Sequence, residues 1–291
     1  MDFSFSLFGN AIVAGILLGG FYAAVSVGVS ISFGMLDVVN IAHPGFIILG
    51  SYIALTLNEA LGLDPILCAV LISPAFYLLG LIIYRAYYLC FERRGRDALR
   101  GLAFFFGLLF ITEVSLVLVF GVDYRMVQTR YSETAWHLGE LDFPLRLVVP
   151  FCVSVAMVVA LSQLLKYTFF GRAVLAVAQD PLALRLMGVN PTRIRAIAFA
   201  LSIATAGIAG SFLIVIQPIQ PAIGREYIGL VFAVCVLGGI GSIYGALAGA
   251  LILGIAETFT ATYFGPSWAP AVSFGLLLLT LAVRPSGLFG R

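Results

Sequence analysis

Residues 228–262, IGLVFAVCVLGGIGSIYGALAGALILGIAETFTAT, form a run of 35 residues whose only charged side chain is Glu257. One transmembrane helix needs about 20 apolar residues. The run is therefore too long for one crossing and long enough for two short ones. The break falls at Gly238-Gly239-Ile240-Gly241-Ser242. Each glycine there costs a helix about 1 kcal/mol relative to alanine, and Ser242 is a good N-cap for a second helix. Reading the run as one crossing or as two decides on which side of a membrane the rest of the chain lies.

The composition supports the membrane reading. Of 291 residues, 62% are apolar and 10% charged, with mean hydropathy +1.09. Further apolar segments are 8–33, 44–57, 66–90, 101–121, 147–165, 196–217 and 268–283. They are continuous rather than alternating, which excludes a transmembrane barrel and predicts an all-α, polytopic helical bundle. A single transmembrane domain covering 1–291 is expected. The first basic residue is Arg85, so nothing at the N-terminus reads as a cleavable signal and the first span is expected to be kept.

Positive charge orients the spans. Arg85, Arg93, Arg94, Arg96 and Arg100 flank one connection. Lys166, Arg172, Arg185, Arg193 and Arg195 fill another, and Arg284 and Arg291 follow the last span. If these are cytoplasmic, twelve of sixteen basic residues lie on one side. The other four, Arg125, Arg130, Arg146 and Arg225, are mixed with acids. Residues 218–227 and 264–267 must then both lie outside, so 228–262 crosses an even number of times. The expectation is nine crossings, or fewer if a short pair is re-entrant, with the N-terminus outside and the C-terminus in the cytoplasm.

One cytoplasmic stretch, AQDPLALRLMGVNPTRIR at 178–195, is soluble in character. Asp180 suits an N-cap and Pro181 the first helical position. Gly188 fits the left-handed closing residue. A capped helix of about two turns, Pro181 to Met187, follows, and Asn190-Pro191 repeats the start signal. Leu182, Leu186 and Met187 share one apolar face beside Arg185.

Two helix breaks carry polar groups at membrane depth: GMLDVVNIAHPGF at 34–46 and GGIGSIYGALAG at 238–249. Pro44 disfavours helix for His43 and can open a new one. Paired interruptions point to a transporter's path, and ionisable residues inside spans are functional candidates. The translocation candidates are Asp37, Asn40, His43, Glu113, Gly239, Ser242 and Glu257. Gly245, Gly249 and Gly254 read as close helix contacts. Cys68, Cys90, Cys152 and Cys235 have no metal or redox spacing and read as small apolar residues. No metal site, catalytic constellation or phosphate loop is present, so no enzyme activity or cofactor is expected of this chain.

These residues together resemble the shorter permease type of the branched-chain amino-acid ABC importers. The likeness rests on GGFYAAVSVGVSISFGM (19–35), VNIAHPGFIILGSY (39–52), the block 171–210, GLVFAVCVLGGIGSIYGALAGALILGIAE (229–257) and RPSGLFGR (284–291). The chain departs from the family at His43-Pro44-Gly45, where relatives commonly read His-Gly and then an acid. The resemblance implies inward transport of a small polar solute, a branched-chain or related amino acid. It implies a second homologous permease, two cytoplasmic ATPases that bind ATP and Mg, and a periplasmic binding protein, all at a bacterial inner membrane and without nucleic acid. It makes 172–195 the ATPase-coupling segment, with Asp180, Pro181, Leu182, Arg185, Leu186, Met187 and Gly188 at the joint. The alternative is a stand-alone carrier or channel for a small amide, urea or organic acid.

Overall fold

The computed structural model describes residues 5–92 and 98–290. The elements are α1 (Phe5–Ser32), α2 (His43–Leu61), α3 (Pro65–Cys90), α4 (Ala98–Phe120), β1 (Ala135–Leu138), β2 (Leu141–Pro144), α5 (Leu145–Tyr167), α6 (Phe169–Gln179), α7 (Pro181–Leu186), α8 (Pro191–Ile216), α9 (Gly224–Gly238), α10 (Ile243–Phe264) and α11 (Ala269–Val283). Among the described residues nine helices are long and apolar enough to cross a membrane: α1 to α5, α8, α10, and α9 and α11 together with the 3-10 turns that lead into them, Pro221–Ile223 and Pro266–Trp268. The long run therefore divides into two spans, and the chain is an all-α multi-pass membrane protein. Ser242 caps the second span by accepting from Gly245 N–H at 3.0 Å. Gly239 has φ +99° and Gly241 φ +84°, values that only glycine adopts without strain.

Several boundaries differ from the sequence reading. The 44–57 segment is a 19-residue helix, long enough to cross, because polar Asn58 and Glu59 continue it to Leu61. His43 is its first helical residue rather than the one before it, with Pro44 in the first turn, where no N–H is needed. The span expected at 196–217 begins at Pro191, since Asn190 caps it through Thr192 and Arg193 N–H. This puts Arg193 and Arg195 on the helix. Two elements were not anticipated. Thr168 caps the amphipathic α6 through Gly171 N–H, and α6 buries Gly171, Ala173, Val174 and Val177. The connection before α5 carries the β1–β2 hairpin, whose turn begins at Gly139 with φ +66°.

Helices α1 and α8 are innermost, with most of their spans buried inside the protein, whereas α4 and α11 are buried along only a small part of theirs. The outer helices present Ile82, Leu118, Val119 and Leu278. Such a surface would be an aggregation hazard in water but matches lipid. Inside a bilayer, close backbone contact replaces the hydrophobic effect as the force between helices. Gly15 and Gly19 on α1 meet Ala250 and Gly254 on α10. A β-carbon on Gly15 would lie 2.7 Å from Ile255 Cα, and one on Gly19 2.8 Å from Ala250 O. Gly249 lies equally close to α9, and Gly245 abuts Gly238, so the three glycines expected to be packing residues are packing residues. Cys68 and Cys235 are buried as expected. Cys90 and Cys152 are exposed, because they fall on the outer faces of α3 and α5.

At the start of α3, Asp64 caps the helix through Ile66 N–H at 2.9 Å, and Tyr131 from the loop reaches the same carboxylate. Burial, with the Asp64 charge second, pushes the Tyr131 hydroxyl up to about 12.

Candidate functional site

Three regions of polar chemistry lie along the bundle. The first is the soluble joint. Asp180 accepts from Leu182 and Ala183 N–H at 2.8 and 3.0 Å and so starts α7 behind Pro181. Gly188, at φ +79°, ends it: its N–H donates to Arg185 O, and Val189 N–H reaches back to Leu184 O. The helix is one residue shorter than expected, because Met187 is its C-cap. Leu182, Leu186 and Met187 are 66%, 83% and 79% exposed, with Arg185 beside them, while Leu184 alone is tucked into the protein. A two-turn helix thus offers three large apolar side chains outward on a rigid, capped frame.

Beneath this joint is a buried ion pair that the sequence reading did not find. Arg195 on α8 pairs with Glu92, just past α3, and Tyr84 donates to the other Glu92 oxygen at 2.8 Å. Their side chains are 8% and 12% exposed. The signal was available, since Glu92 is the first acid in a connection rich in arginine. Arg93, Arg94 and Arg96, counted among the cytoplasmic charges, lie outside the described residues, as does Arg291.

The second region is a cavity of about 670 Å³ at the opposite end of the bundle. Helix α8 starts at the joint and ends at this cavity with Gln217, and α5 starts at the cavity and ends at the joint. Its walls come from α1, α5, α8, α9, α10 and α11. Glu257 lies at depth beside Tyr22, Tyr227 and Ser273, and Arg146 and Glu226 stand at exposed positions. Gln217 donates to Tyr227 Oη at 2.9 Å. Ser273 donates to Glu257 Oε1 at 3.4 Å, and the Tyr22 hydroxyl faces the same carboxylate.

Between the two ends, α1 carries Tyr22, Ser26 and Ser30 one turn apart on a single face. Ser26 and Ser30 are fully buried, and Cys235 on α9 bonds to both, at Ser26 O and Ser30 Oγ. On the neighbouring side His43 abuts Gly28, close to Ser202 and Thr205 of α8. The Ser26 and Ser202 hydroxyls and both amide atoms of Asn40 are buried without hydrogen-bond partners; neither His43 nitrogen makes a well-formed bond, although the Val25 carbonyl faces the ring. Each such atom costs about 1–3 kcal/mol in a sealed interior.

The candidates thus separate. Asn40 and His43 lie together in the sealed middle, where His43 N–H donates to Asn40 O. Gly239 and Ser242 belong to the α9–α10 turn, which meets the end of α1 where Gly241 abuts Gly34. The start of the first break, at Gly34, therefore lies against the second, at the end away from the cavity, while Asn40 and His43 turn back into the middle. Asp37 is exposed in the α1–α2 connection at φ +57°. Glu113 is not part of the cavity: it pairs with Arg225 at 3.1 Å and ties α4 to α9. Glu257 alone of the set lines the cavity.

Comparison with known proteins agrees with this architecture. Residues 11–281 match the family model described as "Branched-chain amino acid transport system / permease component". The chain is 31% identical to the high-affinity branched-chain amino acid transport system permease protein BraD of Pseudomonas aeruginosa, over 96% of this chain and 95% of that one. It is 30% identical to LivH of Salmonella typhimurium over 100% and 98%. It is 26% identical to LivM of the same organism, over 92% of this chain and 67% of that one. Among solved structures it is similar in fold to PsaBC from Streptococcus pneumoniae in complex with Fab, with TM-score 0.51, 14% identity and coverage of 95% and 91%. An all-α bundle of nine candidate spans, matched almost end to end by that family model, belongs to the branched-chain amino acid transport system permease-component family.

Proposed function

We propose that this chain is one of two homologous permease subunits of an ATP-driven importer that carries branched-chain amino acids inward across a bacterial cytoplasmic membrane. The observation that carries the reading is α7: a doubly capped helix whose Leu182, Leu186 and Met187 point away from the protein. An exposed apolar trio on a rigid element fits a groove on a partner, and a stiff lever transmits displacement where a frayed loop absorbs it. The names of BraD and LivH, both branched-chain amino acid transport permeases, supply the solute class. The likeness to both LivH and LivM supplies a second permease of related fold.

In this scheme the α7 end faces the cytoplasm, as the arginine bias requires. Two ATPase subunits holding ATP and Mg bind there, one on residues 172–195. The cavity faces the periplasm and receives solute from a binding protein. Nucleotide-driven closure of the ATPases pushes α7, α8 carries the displacement inward through Leu184 and the Glu92–Arg195 pair, and the sealed polar middle opens and reseals. The unpartnered Ser26, Asn40, His43 and Ser202 groups gain water when it opens, which lowers the cost of the open state.

The test is uptake of L-leucine into vesicles holding the complete complex. Expected is uptake that requires ATP, both ATPases and the binding protein, and that stops when an ATPase phosphate loop is inactivated. Uptake by this chain without any ATPase overturns the reading in favour of a stand-alone carrier or channel.

A further inference from the structure

The cavity holds one group the scheme above leaves unexplained. Glu257 is nine-tenths buried. Its Oε1 accepts from Ser273 at 3.4 Å, and its Oε2 has no hydrogen bond. A carboxylate in such surroundings is costly unless a cation joins it. Arg146, in the first turn of α5, lines the same cavity and forms no ion pair with it. The wall of the same cavity also carries the aliphatic side chains of Leu18 and Leu230. A volume of about 670 Å³ suits a small organic solute with room for water. A metal ion fits poorly, since no group of three His, Cys, Asp or Glu side chains able to hold one occurs among the described residues.

Resting on the importer reading, we infer that this cavity is a solute-binding site of the permease itself, in which Glu257 is the counter-ion of the amino acid's ammonium group. The free Oε2 takes one ammonium hydrogen, Tyr22 and Ser273 hold the carboxylate in place, and the aliphatic wall receives the branched side chain. The solute carboxylate turns toward Arg146 at the mouth. The site thus selects a zwitterion with an apolar side chain, and a branched acid lacking the ammonium group is refused.

The test uses the full complex with Cys90 and Cys152 replaced by alanine and Thr262, at the cavity mouth, changed to cysteine. The rate of maleimide labelling at 262 is measured against increasing L-leucine and against 4-methylpentanoate, its deaminated counterpart. Leucine slows labelling and 4-methylpentanoate does not. Glu257→Asp retains the effect, and Glu257→Gln needs about tenfold or more leucine for equal protection, as expected when one partner of a desolvated charge pair is lost. Co-purification of the ATPases shows that each variant is folded. Equal protection in Glu257→Gln, protection by 4-methylpentanoate, or none by leucine in the parent overturns the inference. ATP-dependent leucine uptake by the same vesicles reports separately on the importer reading.

Discussion

Arg195 carries a positive charge into the interior, 7% exposed, and Glu92 and Tyr84 make that tolerable. Breaking a buried pair leaves one charge uncompensated and costs about 3–5 kcal/mol, whereas replacing both partners with apolar residues of similar size is often close to neutral. Glu92→Leu and Arg195→Met are each expected to lower the thermal midpoint in detergent sharply. The double change Glu92→Leu/Arg195→Met should recover most of the loss, and additive losses in that cycle would show that the two residues do not act as a pair. Tyr131 gives a pH-dependent counterpart. Its hydroxyl is raised from 10 to about 12, so the folded state holds the proton more tightly than the unfolded one. The stability it contributes is complete below pH 10 and lost between pH 10 and 12. Alkaline difference-absorbance titration should show one tyrosine ionising near pH 12 that disappears in Tyr131→Phe. A wild-type titration with no such late component contradicts the buried placement of Tyr131 against Asp64.

At the scale of the element, α7 was legible because its punctuation is local: Asp180, Pro181 and Gly188 act within a few residues of themselves, and the caps form as the sequence implies. The face was only partly legible. Leu182, Leu186 and Met187 are the outward set, but Leu184, between them in sequence, is the anchor, and period alone does not say which side of a short helix meets the protein. Helix α6 escaped notice because its apolar residues continue the composition of α5, and only Thr168 marks the join. These assignments separate two kinds of variant. Leu186→Glu changes a side chain that is 83% exposed, so the permease should stay as stable as wild type yet lose ATPase co-purification. Leu184→Asp buries a charge and should destabilise the joint itself. Gly188→Val has open space around it but needs φ +79°, so its cost is backbone strain of about 1–2 kcal/mol. Thermal midpoints measured beside pull-down yields check all three, and retained ATPase binding in Leu186→Glu would remove α7 as the docking face.

The whole molecule has a cavity at one end, a capped helix with an exposed apolar face at the other and a sealed polar seam between, and this arrangement was the least legible part of the chain. Span count followed from length and charge bias, which are additive along the sequence. The cavity needs residues from six helices to converge, so Tyr22, Gln217 and Ser273 gave no signal of their own. The C-terminal tail is similar: Leu288 and Phe289 N–H donate to Leu237 and Gly238 O and so close the end of α9, a pairing nothing local announces. The seam can be tested with a native probe. Cys235 is buried against Ser26 and Ser30, on the polar face of α1 that begins at the cavity with Tyr22. If solute moves along that face, α1 and α9 must part there once per cycle and wet the thiol. With Cys68, Cys90 and Cys152 replaced by alanine, a small thiol reagent should modify Cys235 slowly at rest and several-fold faster during ATP turnover, and L-leucine delivered by the binding protein should increase that rate further. An ATPase locked without hydrolysis should hold it at one constant value. Modification that ignores ATP, or that never occurs during active uptake, would move the path off the Tyr22–Ser26–Ser30 face and leave the His43–Ser202 side as the part of the interior that opens.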